Sequence, residues 1–332
     1  MKHLSNNTPL SNPLERWSEG ADLVLYDILS HTRAHNSKGE LHIIDKYIRP
    51  IADEIDDFGN LYKRIGTAPV LWSCHTDSVH SSKDPVKQTI YVDEAATQLF
   101  KGNDKMCLGA DCGTGIWLML QMIEAGVEGL YIFHRQEETG GKGSDWIALN
   151  RPDLLKSYQQ AIAFDRYGTD SIITHQSCSR CASDNYGLAL ADLLGMNYKL
   201  DTGGSFTDTA NYTSIIPECT NISVGYYNQH TNNEYQDLVH LTALCNVLCD
   251  TTKDFAGLPI ERDPSVIDDW FDDFRYSNYS YHTNVYETPL HQAIIDYPET
   301  IAEMLRSGGA FALDDDELAH HIEDRFYASL NY

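Results

Sequence analysis

Glu137 and Glu138 stand side by side in YIFHRQEETGGKGSDW, directly after the apolar stretch Gly129-Leu130-Tyr131-Ile132-Phe133. On a solvated loop such a pair carries no message. At the end of a buried strand, two like charges are unfavourable unless a cation, a proton or a substrate compensates them. Four other segments put acidic or imidazole groups where apolar runs end. VLWSCHTDSVH places His75 and Asp77 two apart, a spacing that keeps both on one side of an extended strand. CLGADCGTGIWLML sets Asp111 between two Gly-containing turns, just before a buried helix. AIAFDRYGTD closes an apolar run with Asp165, and ISVGYYNQHTNNEYQDL closes another with His230. Taken singly, Asp77 and Asp165 read equally well as helix caps or turn residues, and His230 as a surface histidine.

Taken together, the set has a chemistry. In an open α/β sheet the carboxyl ends of parallel strands form the crevice where ligands sit, so these segments can converge there. Two histidines, two aspartates and a glutamate are ligands that Zn²⁺ accepts. Five are too many for one tetrahedral catalytic zinc with an open position. They suit two ions that share one carboxylate, with a water between them. One glutamate of the pair then ligates metal while its neighbour faces the water as a base.

The ordered series H-x-D, G-A-D-x-G, E-E, D and H resembles the co-catalytic zinc exopeptidases of the metallopeptidase clan MH. It is carried here by SCHTDSVH, LGADCGTG, RQEETGGKGS, AFDRYGTD and YYNQHTNNE. Each motif is weak alone, and the resemblance spans residues 15 to 255. It implies two Zn²⁺ per chain, with Co²⁺ or Mn²⁺ as substitutes. His75 and Asp165 would complete one metal site, Glu138 and His230 the other, with Asp111 bridging. Asp77 would orient His75, and Glu137 would be general base and then general acid. Tyr226 and Tyr227 are candidates for stabilising an oxyanion, with a core role expected for at least one of them. The resemblance also implies a cis peptide bond after the bridging Asp111. Many relatives carry an acidic or amide residue there, and this chain has Cys112. The segment between Asp165 and His230 is already filled by a helix, a strand and loops, which points to the compact type without an inserted lid domain.

Aspartate at the position of Asp165 accompanies aminopeptidases and dipeptidases, whereas glutamate there accompanies carboxypeptidases and deacylases. The expected substrate is therefore a peptide, cut at its N-terminal bond. The alternatives are a deacylase of N-acyl amino acids or another small amide on the same dinuclear site, and a catalytically retired binding or structural protein. The retired reading would predict a lost ligand or base, and none is lost.

Around these residues the sequence of 332 residues alternates strand and helix over residues 69 to 253. That pattern predicts an α/β, three-layer α/β/α sandwich with a central mixed, mostly parallel sheet. LERWSEGADLVLYDILSHTRAH reads as an opening helix that starts at Asn12-Pro13, and GIWLMLQMIEAG as a buried helix that stops at Gly126. EGLYIFH, QAIAFD and CTNISVGYY read as strands. LLKSYQQ, SDNYGLALADLLGM and the long NEYQDLVHLTALCNVLCDTTKDF read as helical. After Leu258 the chain becomes acidic and Tyr-rich, with two amphipathic patterns around a Gly-Gly break. The expected domains are thus 1–258, catalytic, and 259–332, a small, partly helical C-terminal appendage.

The charge balance of 24 Lys and Arg against 49 Asp and Glu, formally −25, argues against nucleic acid or an anionic membrane as partner. No apolar run approaches membrane-spanning length, and the N-terminal stretch lacks a signal-peptide core. A cytoplasmic location with reduced thiols is the expectation for the eight cysteines. A homo-oligomer is compatible with all of this. Cys178-Ser-Arg-Cys181 with His175 hints at a structural zinc but lacks a second Cys pair, so it reads as a loop.

Overall fold

The computed structural model describes residues 23–93, 98–101, 105–177 and 179–266. The appendage helices and the Asn12-Pro13 start lie outside the described residues, as does Cys178. Eight strands form the main sheet: β1 (Glu54–Ile55), β2 (Leu61–Ile65), β3 (Val70–His75), β4 (Gly129–His134), β5 (Gln160–Arg166), β6 (Ser171–Ile173), β7 (Lys199–Asp201) and β8 (Glu218–Ser223). Their order is β1-β2-β4-β3-β5-β8-β6-β7. The central run β4-β3-β5-β8 is parallel throughout, with antiparallel pairs at β1/β2, β2/β4 and β8/β6. The chain leaves β3 to form β4 on one side and returns to form β5 on the other. This is the switch that opens a crevice at the strands' carboxyl ends.

The period of two along the strands sorts their side chains between two cores. Trp72 and Cys74 of β3, Tyr131 and Phe133 of β4, and Ile162 and Phe164 of β5 pack under α1 (Leu23–Leu29), α3 (Ala110–Ala125), α5 (Asp184–Leu194) and α6 (Leu238–Leu248). Leu71, Leu130, Ile132 and Ala161 face α4 (Lys142–Asn150) and a 3₁₀ turn at Asp208–Tyr212. This is the expected three-layer α/β/α sandwich. A second, four-stranded antiparallel sheet joins Ile90–Asp93, Gln98–Lys101, Tyr226–Tyr227 and Tyr235–Asp237. Between Asp165 and His230 the described chain contributes β6, α5, β7 and β8 to the main sandwich.

Four expectations need correction. Residues 235–237 are a strand, not helix. They pair with Gln98–Lys101, and only then does the Asp237 side chain cap α6 by accepting from Val239 and His240 amides. The apolar run at the first helix does not continue to residue 35. The helix ends at Leu29, because the Thr32 amide donates to the Val86 carbonyl instead of to its own helix. Of LLKSYQQ only Leu154 and Leu155 are helical, closing the single turn Pro152–Leu155 before β5 begins at Gln160. CTNISVGYY is broken at Gly225, whose φ of 93° turns the chain from the main sheet into the small one. Gly126 does close α3, in the left-handed conformation expected of a C-terminal glycine. The Asp111–Cys112 peptide bond is cis.

One buried acid fastens the strand ends from below. Glu40, on the short helix α2 (Lys38–Ile43), is fully buried and uses both oxygens. Oε1 accepts from Thr76 Oγ1 at 2.6 Å and Arg135 Nε at 2.9 Å, and Oε2 from the Asn36 amide at 2.6 Å and Arg135 Nη2 at 3.1 Å. Thr76 follows β3 and Arg135 follows β4, so α2 is tied to both strands where they enter the crevice. Removing the acid leaves a buried guanidinium unpaired, which costs about 3–5 kcal/mol. For Glu40→Ala, thermal unfolding is expected to fall by roughly 6–15 °C. A Tm within about 2 °C of the parent would show that water relaxes into the site and that the pair is not structural.

Candidate metal centre

His75, Asp111, Glu137, Glu138, Asp165 and His230 are brought into one cluster at the carboxyl end of the central strands. His75 is the last residue of β3, Asp165 lies near the end of β5, and the glutamate pair follows β4. His75 Nε2 lies 3.1 Å from Asp111 Oδ1, 3.4 Å from Asp165 Oδ1 and 3.9 Å from Glu137 Oε2. On the other side, His230 Nε2 lies 3.0 Å from Asp111 Oδ2 and 3.3 Å from Glu138 Oε2. Asp111 thus turns one oxygen to each histidine. Ligands about 2.0–2.2 Å from a tetrahedral zinc stand roughly 3.3–3.5 Å apart, so these separations are close to those of side chains that could share a metal ion. Glu138 Oε1 and Asp77 Oδ2 are moreover buried without a hydrogen-bond partner. The donor set fits divalent-cation binding.

Several side chains hold these groups in place. Asp77 is fully buried; its Oδ1 accepts the Glu137 amide at 3.1 Å and lies 3.5 Å from His75 Nδ1, which also faces the Asp77 carbonyl at 3.2 Å. Burial alone would raise the Asp77 carboxyl, but the bond to His75, the charge of His75 and the backbone amides together outweigh it and hold the group below the usual carboxylate range. Tyr226 is buried and donates to Asp165 Oδ1 at 3.2 Å. Tyr227 lies outside the cluster, stacked on Tyr235 with its hydroxyl towards Thr169.

Three residues that border the cluster escaped the sequence reading. Glu234 is buried and accepts the amides of Gly109 at 2.8 Å and Asp111 at 3.1 Å, pinning the start of α3. Asn221 accepts the Asp165 amide at 2.9 Å and donates to its carbonyl at 2.7 Å. Asp208 is fully buried, 3.4 Å from His134 Nδ1, and feels the charges of His75, Asp165 and Asp77. The only local hint was an acid inside TDTANY, and a 3₁₀ turn gives no periodic signal. His80, His134, His175 and His240 are buried structural residues; His134, for instance, bonds Tyr212 Oη at 2.6 Å. Cys181 faces the core, its Sγ towards the Ile173 carbonyl.

So many acids in one place disturb one another. Burial, reinforced by neighbouring carboxylates, pushes Glu137 up to about 10. Burial and then Asp111 push Asp165 up to about 7, with His75 opposing. Burial would depress His75, but Asp165, Glu137 and Asp111 raise it well above the ordinary imidazole range. Bonds to Asp111 and Glu138 lift His230 to about 11. In the metal-free protein the cluster therefore retains protons that the unfolded chain has released. The raised acids favour the fold only while protonated, and the stabilisation from His230 is complete below about 6.5 and lost as pH rises through 11. Both terms make metal-free stability fall as pH rises through neutrality. Divalent cations compete with these protons. The increase in Tm on adding zinc is thus expected to be larger at about pH 8 than at pH 6, read by scanning calorimetry after chelator treatment. An increment that shrinks with rising pH would mean that the cluster is not where zinc binds.

A cleft opens over the cluster, lined also by Arg166, Tyr167, Ile173, Gln176, Phe206, Asn221 and Tyr226. No described helix is long and apolar enough to cross a membrane. No protein-family model matches the sequence, and no curated protein matches it by sequence. Solved structures do match in fold. Aminopeptidase PepT from Bacillus cereus is similar with a TM-score of 0.57 at 13% identity, over 73% of this chain and 99% of that one. A tripeptidase from Staphylococcus aureus gives 0.56 at 14% identity, over 75% and 100%. The TET1 peptidase of Pyrococcus horikoshii gives 0.52 at 15% identity, over 72% and 99%. The chain thus has the mixed α/β fold shared by these aminopeptidases and tripeptidases.

Proposed function

We propose that the protein is a dinuclear metallo-exopeptidase that removes the N-terminal residue of a peptide. The observation that carries this reading is Asp111, whose two oxygens face His75 with Asp165 on one side and His230 with Glu138 on the other. His75 and Asp165 would hold one zinc ion, Glu138 and His230 the second, and Asp111 both. When bound, the ions supply Lewis acidity at the scissile carbonyl and lower the pKa of water. The named activities of the structurally similar proteins, aminopeptidase and tripeptidase, agree with a peptide substrate. The Pyrococcus horikoshii peptidase assembles into a tetrahedron or an octahedral shell, and this chain is proposed to work as a homo-oligomer as well.

Glu137 is the base. It lines the cleft, and its backbone is fixed by Asp77. Positive charge at the cluster would draw its carboxyl down from about 10 towards neutrality, where a carboxylate can take a proton from water and a carboxylic acid can return it to the departing amine. Tyr226, whose phenol burial keeps protonated, would serve the oxyanion by turning its hydroxyl away from Asp165 Oδ1, to which it otherwise donates. Asp77 acts by orienting His75 and the Glu137 backbone.

Elemental analysis of the purified protein, paired with hydrolysis of unblocked aminoacyl anilides, tests this. Two zinc ions per chain are expected. Glu137→Ala is expected to keep both and to lose about 10²–10⁴-fold in kcat. Hydrolysis of N-acyl amino acids in place of unblocked anilides would assign the same centre to a deacylase. Failure to take up zinc would remove the dinuclear reading altogether.

A further inference from the structure

Among the described residues, the cleft that holds four carboxylates also holds a single guanidinium. Among its lining residues Asp111, Glu137, Glu138 and Asp165 are acidic, and Arg166 is the lone Lys or Arg. Arg166 is only 8% exposed, and it is held from behind. Nη2 donates to Asp201 Oδ2 at 2.9 Å, and the guanidinium carbon lies 4.2 Å from the Tyr167 ring centre. Asp201 is fixed in turn: Oδ2 accepts from Ser171 Oγ at 2.8 Å, and Oδ1 accepts the Gly203 amide at 2.8 Å. The Arg166 fork is nevertheless half used. Among the described residues Nε is buried without a hydrogen-bond partner, and no hydrogen bond uses Nη1. Gln176 lines the same cleft, with Oε1 likewise buried and unpartnered while Nε2 donates to Thr209. An arginine placed only to pair with Asp201 would gain by meeting it through two parallel bonds, and an unmade buried bond is unfavourable. The arrangement instead anchors the guanidinium by one nitrogen and leaves the others for something else.

From this we propose that Arg166 receives a carboxylate of the substrate. The inference rests on the exopeptidase reading and narrows its substrate class to peptides that bring a free carboxylate into the cleft. Either the C-terminus of a short peptide or an acidic side chain can supply it. A protein with a net charge of −25 repels such substrates at a distance, so a local, pre-oriented guanidinium is what would make their binding favourable.

Binding can be read without turnover. The zinc-loaded full chain carrying Glu137→Ala is titrated calorimetrically with Ala-Ala-Ala, with Ala-Ala-Ala-amide and with Glu-Ala-Ala-amide. If the C-terminus is the source, the free acid binds at least about ten-fold tighter than its amide. If an acidic side chain is the source, Glu-Ala-Ala-amide exceeds Ala-Ala-Ala-amide by a similar factor. In either case the gain should vanish when Arg166→Gln is added and shrink with Arg166→Lys, which keeps the charge but not the fork. Equal binding of all three peptides overturns the proposal and needs no change at position 166. A gain that survives in a folded Arg166→Gln protein overturns it too. Failure of the exopeptidase reading shows separately, as no hydrolysis of either Ala-Ala-Ala or Glu-Ala-Ala-amide by the wild-type protein.

Discussion

Four carboxylates share a cleft with two imidazoles, and their mutual repulsion is the constraint on which the rest of the site depends. Buried like charges either neutralise by holding protons or require cations. Here the conflict centres on Asp111, which meets both histidines at about hydrogen-bond distance and is held well below the usual carboxylate range by them although burial opposes it. Its neighbours Asp165 and Glu137 bear the opposite strain and are raised. A pair of metal ions would resolve both at once.

Such a cluster persists only if its backbone cannot retreat. Three of the four acids are therefore fixed through the main chain by a side chain from another part of the sequence: Asp111 by Glu234, Asp165 by Asn221, and Glu137 by Asp77. Close packing does the same beneath Asp111. A Cβ at Gly115 would collide with Cys112 Sγ and the Phe164 carbonyl, so α3 lies directly against β5 below the site. Cys112 fits this account, because its thiol fills the contact and donates to the Phe164 carbonyl at 3.2 Å.

The contrast between what the sequence revealed and what it hid has the same physical origin. His75, Glu137, Glu138 and Asp165 were legible because each lies at the end of an apolar run that becomes a parallel strand, Asp111 because it stands between Gly-containing turns before a buried helix, and His230 because it follows the run that leaves the main sheet. The supporting residues were not. Glu234 reaches a partner 125 residues away, and Glu40, set in SKGELH, looks like an exposed helical acid although it is buried. Nothing local records a bond that only the tertiary fold creates. For the same reason Tyr235–Asp237 read as helix: its pairing partner, Gln98–Lys101, is remote in sequence. The Tyr226-Tyr227 dipeptide was ambiguous because strand alternation sends one ring into the cleft and the other away, and its register follows from the break at Gly225.

Glu40 has a mechanical side. It grips Thr76, next to His75, and Arg135, two residues before Glu137, through one rigid carboxylate. Any displacement of α2 is thus delivered to the ends of β3 and β4 in common. The spacing between the imidazole and the candidate base is gauged by a single side chain and not left to the independent breathing of two strands.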